Sequence, residues 1–154
     1  VSEPTAFFAY PGVASGHASG PASGPAPAAG FLSSLPAADW TLLVGVAPPR
    51  RIRAGATALG AGEADRALHI VLAGLLREAG DGTGPAAERG PGAVFGERCF
   101  LDGTAAPRPV VAVTDSVVLR LGLVEFETLA AREPGIGRFL LFDLARVLAA
   151  RAAR

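Results

Sequence analysis

Glu97 and Arg108 are the residues whose types and spacing could do chemistry. They stand at opposite ends of VFGERCFLDGTAAPRPVVA, Val94 to Ala112, with Gly96 just before the acid and Pro109 just after the base. A carboxylate accepts hydrogen bonds from hydroxyls, and a guanidinium fork holds an anion by charge-assisted bonds. The pair allows a site with one face for hydroxyls and one for an anion. It equally allows a surface loop with two ordinary charges, paired with each other or solvated.

Composition narrows the classes of function. The chain has 154 residues, 50% of them apolar, which is the size of one domain with a real core. Its 14 basic residues balance 14 acidic ones, so no overall field draws it to DNA, RNA or an anionic membrane. Any anion must be held locally. Every basic residue is arginine and lysine is absent; with the abundance of Ala, Gly and Pro this suggests a GC-rich, bacterial genome. A lone Cys99 excludes an internal disulfide, and His17 and His69, far apart and without a cysteine cluster, give no zinc pattern. The start of the chain lacks the charge and continuous apolar core of a signal peptide. No apolar run approaches the roughly 20 residues that cross a bilayer. A soluble, cytoplasmic protein is expected.

Residues 1–30 read as a tail and 31–154 as the body. From Val13 to Gly30 the chain is almost only Ala, Gly, Ser and Pro, which cannot bury enough surface to offset the entropy of ordering it. The expectation is a disordered linker. Before it, AFFAYPG places Phe7, Phe8 and Tyr10 outside the body, where aromatic side chains gain nothing from water. These three are candidates for docking to a partner protein, or they fold back onto the body.

The elements that must position Glu97 and Arg108 follow from periodicity. Leu35, Trp40, Leu43 and Val44 share one helical face, with Ser34 as a cap and Pro36 in the first turn. Then RRIRAG, ALHIVLAG, LLREAG, PVVAV and SVVLRL are short apolar or alternating runs broken by Gly, Pro and Asp, the pattern of a small β-barrel or jelly roll. Gly55, Gly62, Gly74, Gly92 and Gly96 stand at strand ends, where a tight roll calls for positive backbone angles. Helix returns at the end. Leu123, Phe126, Leu129 and Ala130 share one face; after a break at Pro134, Ile136, Phe139, Leu140, Leu144, Val147 and Leu148 share another. The fold class is α+β, a β-roll with a short N-terminal helix and two C-terminal helices.

From Phe31 to Arg154 the chain resembles the cyclic nucleotide-binding domains of catabolite-activator-type regulators, kinase regulatory subunits and nucleotide-gated channels. The resemblance lies in the order of the five glycines, in GPGAVFGERCFLDGTAAPR, which is similar to the family's phosphate-binding cassette, and in the helix-Pro-helix ending. It implies cyclic AMP or cyclic GMP as ligand and no other cofactor. It gives Glu97 the ribose 2′-hydroxyl, Arg108 the cyclic phosphate, and the backbone amides after Glu97 additional donors. Gly96 would let the backbone come close, and the final helix, around Arg146 to Arg151, would fold as a lid over the base.

The cassette departs from the family pattern in four ways. Pro109 has no N–H to give where the family offers one to the phosphate. Arg98 replaces an apolar residue and either adds a phosphate contact or faces solvent. Cys99 replaces a smaller residue, and the segment from Glu97 to Arg108 is longer than in the commoner members. The chain ends after the lid helix, so no helix-turn-helix, kinase or channel is expected, and no catalytic constellation or metal site is present in the pattern. Two readings follow. One is a stand-alone, non-enzymatic sensor that signals to a protein partner through its C-terminal helix. The other is a degenerate, ligand-free roll acting as an adaptor or cargo protein, docked to a larger assembly by its aromatic tail. The apolar final helix could pair with its copy in a homodimer or pack on its own roll.

Overall fold

The computed structural model describes residues 30–80 and 86–153. The tail and its candidate docking residues Phe7, Phe8 and Tyr10 lie outside them. The described chain is a three-layer α+β fold: helices on one sheet, and that sheet on a second one. The elements run α1 (Ala37–Val46), β1 (Pro49–Ile52), β2 (Thr57–Leu59), β3 (Ala67–Ala73), β4 (Leu76–Glu78), β5 (Ala87–Arg89), β6 (Val94–Phe95), α2 (Glu97–Asp102), β7 (Val110–Ala112), β8 (Ser116–Gly122), α3 (Leu123–Arg132) and α4 (Pro134–Ala152). The strands form two antiparallel sheets in the orders β1-β8-β3-β6 and β2-β7-β4-β5, which face each other as a β-roll.

Two cores follow from strand alternation. The central strand β3 is apolar on both faces because both are covered. Leu68, Ile70 and Leu72 point to the helices, joined there by Leu119 and Leu121 of β8, Phe126 and Leu129 of α3, and Leu140 and Leu144 of α4. Val71 and Val118 point into the roll instead, against Leu76, Phe95, Val110 and Ala112. One register shift would exchange these two sets, so the pairing of β3 with β8, Ile70 opposite Leu119, is strongly specified.

The first helix starts later than a Ser34 cap would have it. Pro36 is the N-cap, and its carbonyl accepts the amides of Asp39 and Trp40. The physical reason is that a residue before proline is pushed out of the helical region, so Leu35 cannot begin the helix. Phe31 to Ser34 form a turn pinned by α4: Leu32, at φ 60, gives its amide to Asp143 Oδ2 at 2.6 Å.

All five glycines named from the sequence take positive φ, as does Gly103. The requirement is most severe at Gly74, φ 88, where a β-carbon would meet Ser116 Oγ at 2.3 Å and the Asp115 carbonyl at 2.5 Å. Gly74→Ala is expected to destabilise the domain by about 2 kcal/mol or more, combining backbone strain with the shift of β8; a urea midpoint unchanged from wild type would contradict this.

Candidate functional site

The candidate site is built where β6 turns into α2. Gly96 adopts φ 76, which turns the chain sharply so that Glu97 becomes the first residue of the helix. Gly96 has a second reason to be glycine, one that the sequence did not suggest. A β-carbon there would stand 2.9 Å from His69 Nδ1, so the close approach is to a neighbouring side chain. The far end of α2 is held by Arg66, whose Nη2 donates to the Phe100 and Leu101 carbonyls at 3.1 and 2.9 Å. After Gly103 the chain returns beneath Glu63: Ala106 donates to the Glu63 carbonyl and Gly62 to the Ala106 carbonyl, both at 2.8 Å. These bonds lead the chain to Arg108 and into β7.

Glu97 and Arg108 do not pair with each other. The Glu97 carboxylate is gripped by Arg151, from the last turn of α4, whose other terminal nitrogen donates to the Val94 carbonyl at 2.6 Å. Arg108 instead donates to Glu78 Oε1 at 3.2 Å, and the second oxygen of Glu78 accepts Arg89 at 2.9 Å. The two site charges are therefore met from distant elements, Glu97 from α4 and Arg108 from β4, whose Glu78 is shared with Arg89 of β5. Sequence reasoning named α4 near Arg151 as a lid, but gave it no partner; it gave Glu78 and Arg89 no role.

The remaining cassette residues divide by exposure. Arg98 is exposed on the outer side of α2. Cys99 is 2% exposed, packs into the core of the roll and donates weakly to the Glu63 carbonyl at 3.8 Å; burial raises the pKa of its thiol. Only its backbone is left to serve a ligand. Pro109 gives its carbonyl to the amide of Ala79 at 3.1 Å, which ties the arginine loop to the end of β4.

Beneath the cassette lies a polar cluster. His69 of β3 is 2% exposed and stacks on Phe95 with ring centroids 4.7 Å apart. Its Nε2 is 4.0 Å from Asp65, whose carboxylate is held by both Arg120 Nε and Nη2. The hydrogen bond from Arg120 lowers the Asp65 pKa. Desolvation lowers that of His69 to about 4, against the opposing attraction of Asp65. His69 is thus a neutral ring supporting Gly96 and Phe95 from within. No group of acidic, cysteine and histidine side chains that could hold a metal ion occurs among the described residues. No helix among them is long and apolar enough to cross a membrane.

The chain as a whole has counterparts among known proteins. The sequence model for the family described as the cyclic nucleotide-binding domain matches residues 49–133, more than half of the chain. The chain belongs to the cyclic nucleotide-binding domain family. Its members are regulatory ligand-binding domains. No curated protein matches the chain. Among solved structures, one from work on a cyclic-GMP-dependent signalling pathway in bacterial phytopathogenesis is 25% identical with a TM-score of 0.65, over 75% of this chain and 95% of that one. The catabolite activator protein of Thermus thermophilus is 27% identical with a TM-score of 0.67, over 80% of this chain; the match spans only 58% of that protein's length. A regulatory subunit of a cAMP-independent protein kinase A from Trypanosoma brucei is 26% identical, TM-score 0.60, over 80% of this chain and 43% of that one.

Proposed function

We propose that this cyclic nucleotide-binding domain is a non-enzymatic sensor whose ligand, cyclic AMP or cyclic GMP, is read out through α4. Glu97 accepts the ribose hydroxyl and Arg108 holds the singly charged cyclic phosphate, with the first-turn amides of α2 as further donors. The observation that carries this reading is the grip of Arg151 on Glu97. A ligand hydroxyl and the last turn of α4 then address one carboxylate, so ligand binding changes the free energy of holding α4 down. Such a preference of the ligand for one helix position is what a sensor requires. The outer face of α4 carries exposed Leu141 and Phe142, the latter 76% exposed, a surface suited to a protein partner or to a second copy of the chain.

Titration calorimetry with cyclic AMP and cyclic GMP tests the reading. Wild type is expected to bind one of them at micromolar level, deletion of residues 1–29 to leave that affinity intact, and Arg108→Ala to weaken it by at least about tenfold, the value of a hydrogen bond to a charged group. No heat with either nucleotide up to millimolar concentration would reject the sensor.

A further inference from the structure

Helical spacing gives α4 two unlike sides. Ile136, Leu140, Asp143 and Leu144 are buried on the inner one, whereas Arg138, Leu141, Phe142, Ala145 and Ala149, at steps of three and four, are exposed on the other. Phe142 is 76% exposed and Leu141 44%. The other large apolar side chains on the surface of the described residues stand one to an element: Leu42 in α1, Leu101 in α2, Val113 after β7 and Val124 in α3. Only α4 sets two next to each other, beside a floor of alanines on which a flat ring can lie close to the helix backbone.

Two observations favour an occupant from the same chain. The first is the tether. Leu32 gives its amide to Asp143, the residue after Phe142 on α4, so the described chain starts beside this helix. Phe7, Phe8 and Tyr10 lie outside the described residues, with 19 residues between Tyr10 and Gly30. Covalent geometry lets that stretch reach up to about 65 Å, against about 28 Å for the whole length of α4. Every point of the face is within reach. The second observation is charge. Glu3 is the one Asp, Glu, Lys or Arg among residues 1–29, and the exposed charges that flank the apolar patch, Arg138 and Arg146, are both basic.

The size of the patch separates a tethered occupant from an untethered one. Two large side chains and two alanines fall well short of the about 800 Å² per partner that a stable interface between separate proteins buries. A tethered segment needs less, because its linker holds it at an effective concentration on the order of millimolar. Aromatic rings bury the most apolar area for each residue ordered.

We propose that the segment of Phe7, Phe8 and Tyr10 docks in cis on the outer face of α4, its rings against Leu141, Phe142 and the alanines, with Glu3 towards Arg138. Arg151, seven residues after Leu144, stands on the inner side of the helix with its grip on Glu97. The docked segment therefore leaves the nucleotide site alone and covers the surface that a second copy or a separate partner would have to use.

Tyr10 is the chain's only tyrosine, so a tyrosine-selective isotope label in the full chain reports this segment alone. Nuclear Overhauser contacts are expected between the Tyr10 ring and the side chains of Leu141 and Phe142, with an intensity that dilution does not change. Phe142→Ser, a surface substitution that the fold tolerates, is expected to abolish them and to narrow the Tyr10 resonances. Phe7→Ser combined with Phe8→Ser is expected to shift the Leu141 methyl resonances. Contacts that fade on dilution, or that form between labelled and unlabelled chains, would give the face to a second copy and overturn the proposal. Tyr10 contacts confined to another part of the body would overturn it as well, as would Tyr10 resonances no broader in wild type than in Phe142→Ser. If Phe142→Ser disturbs the fold, the tail variant decides, and unchanged Leu141 resonances there reject docking on α4. No nucleotide enters the test, so its outcome is independent of the sensor reading.

Discussion

Asp143→Ala will destabilise the domain by about 3 kcal/mol, although the residue lies outside the candidate site. Asp143 is 9% exposed on the inner side of α4 and does two things at once. One oxygen accepts the Leu32 amide at 2.6 Å, and the other accepts Arg146 at 2.8 Å. Leu32 is fully buried with φ 60, an angle that residues with a β-carbon rarely hold without support. Alanine would strand that amide and leave Arg146 without this carboxylate, and removing one member of a buried charged contact costs about 3–5 kcal/mol. The exposure of Arg146, 47%, puts the value at the lower end. Asp143→Asn keeps an acceptor for Leu32 and is expected to cost about 1 kcal/mol. Urea unfolding with an unchanged slope measures both; equal losses in the two variants would show that the acceptor at Leu32 is not what matters.

Stability will fall by about 3 kcal/mol as the pH drops from 6.5 to 4, through His69 alone. Its folded pKa is about 4, below the ordinary 6.5, because burial penalises the charged ring. The fold therefore favours the neutral form. The contribution is complete above pH 6.5 and is lost progressively towards pH 4, at 1.36 kcal/mol for each unit of separation. The groups facing the ring set this balance: Asp65 favours protonation, while Arg120 and Arg50 oppose it. Asp65 is itself held below its ordinary value by Arg120, so its own contribution is lost only at still lower pH and does not fall in this window. His69→Phe preserves a ring against Phe95 and removes the titration. The difference between wild-type and variant stability curves isolates the histidine. A difference independent of pH over that interval would show that His69 is protonated at no cost in the fold.

Both effects depend on residues whose importance is invisible in local pattern, and they mark where sequence reasoning reaches its end. Elements long enough to show their period were legible: β3 and β8, the two apolar faces of α3 and α4, and the break at Pro134 all stand where alternation and helical spacing put them. The strands β2, β5 and β6, three residues or fewer, were too short for any period to show, and β5 carries Arg89. The start of α1 moved from Ser34 to Pro36 because a serine can always be imagined as a cap, whereas the constraint before proline decides.

The sequence by itself determined the positions of chain reversal and the identity of the two candidate ligand residues. A glycine at a strand end, or a glycine-acid pair ahead of an arginine loop, is imposed by backbone sterics and local chemistry, which act within a few residues. Only the tertiary structure decided what those charges are paired with. Arg151 meets Glu97 across 54 positions and Arg108 meets Glu78 across 30, while Asp143 finds Leu32 across 111. Long-range pairing depends on how sheets and helices stack, and any of the chain's 14 arginines was an equal candidate until the fold brought particular ones within reach of a carboxylate.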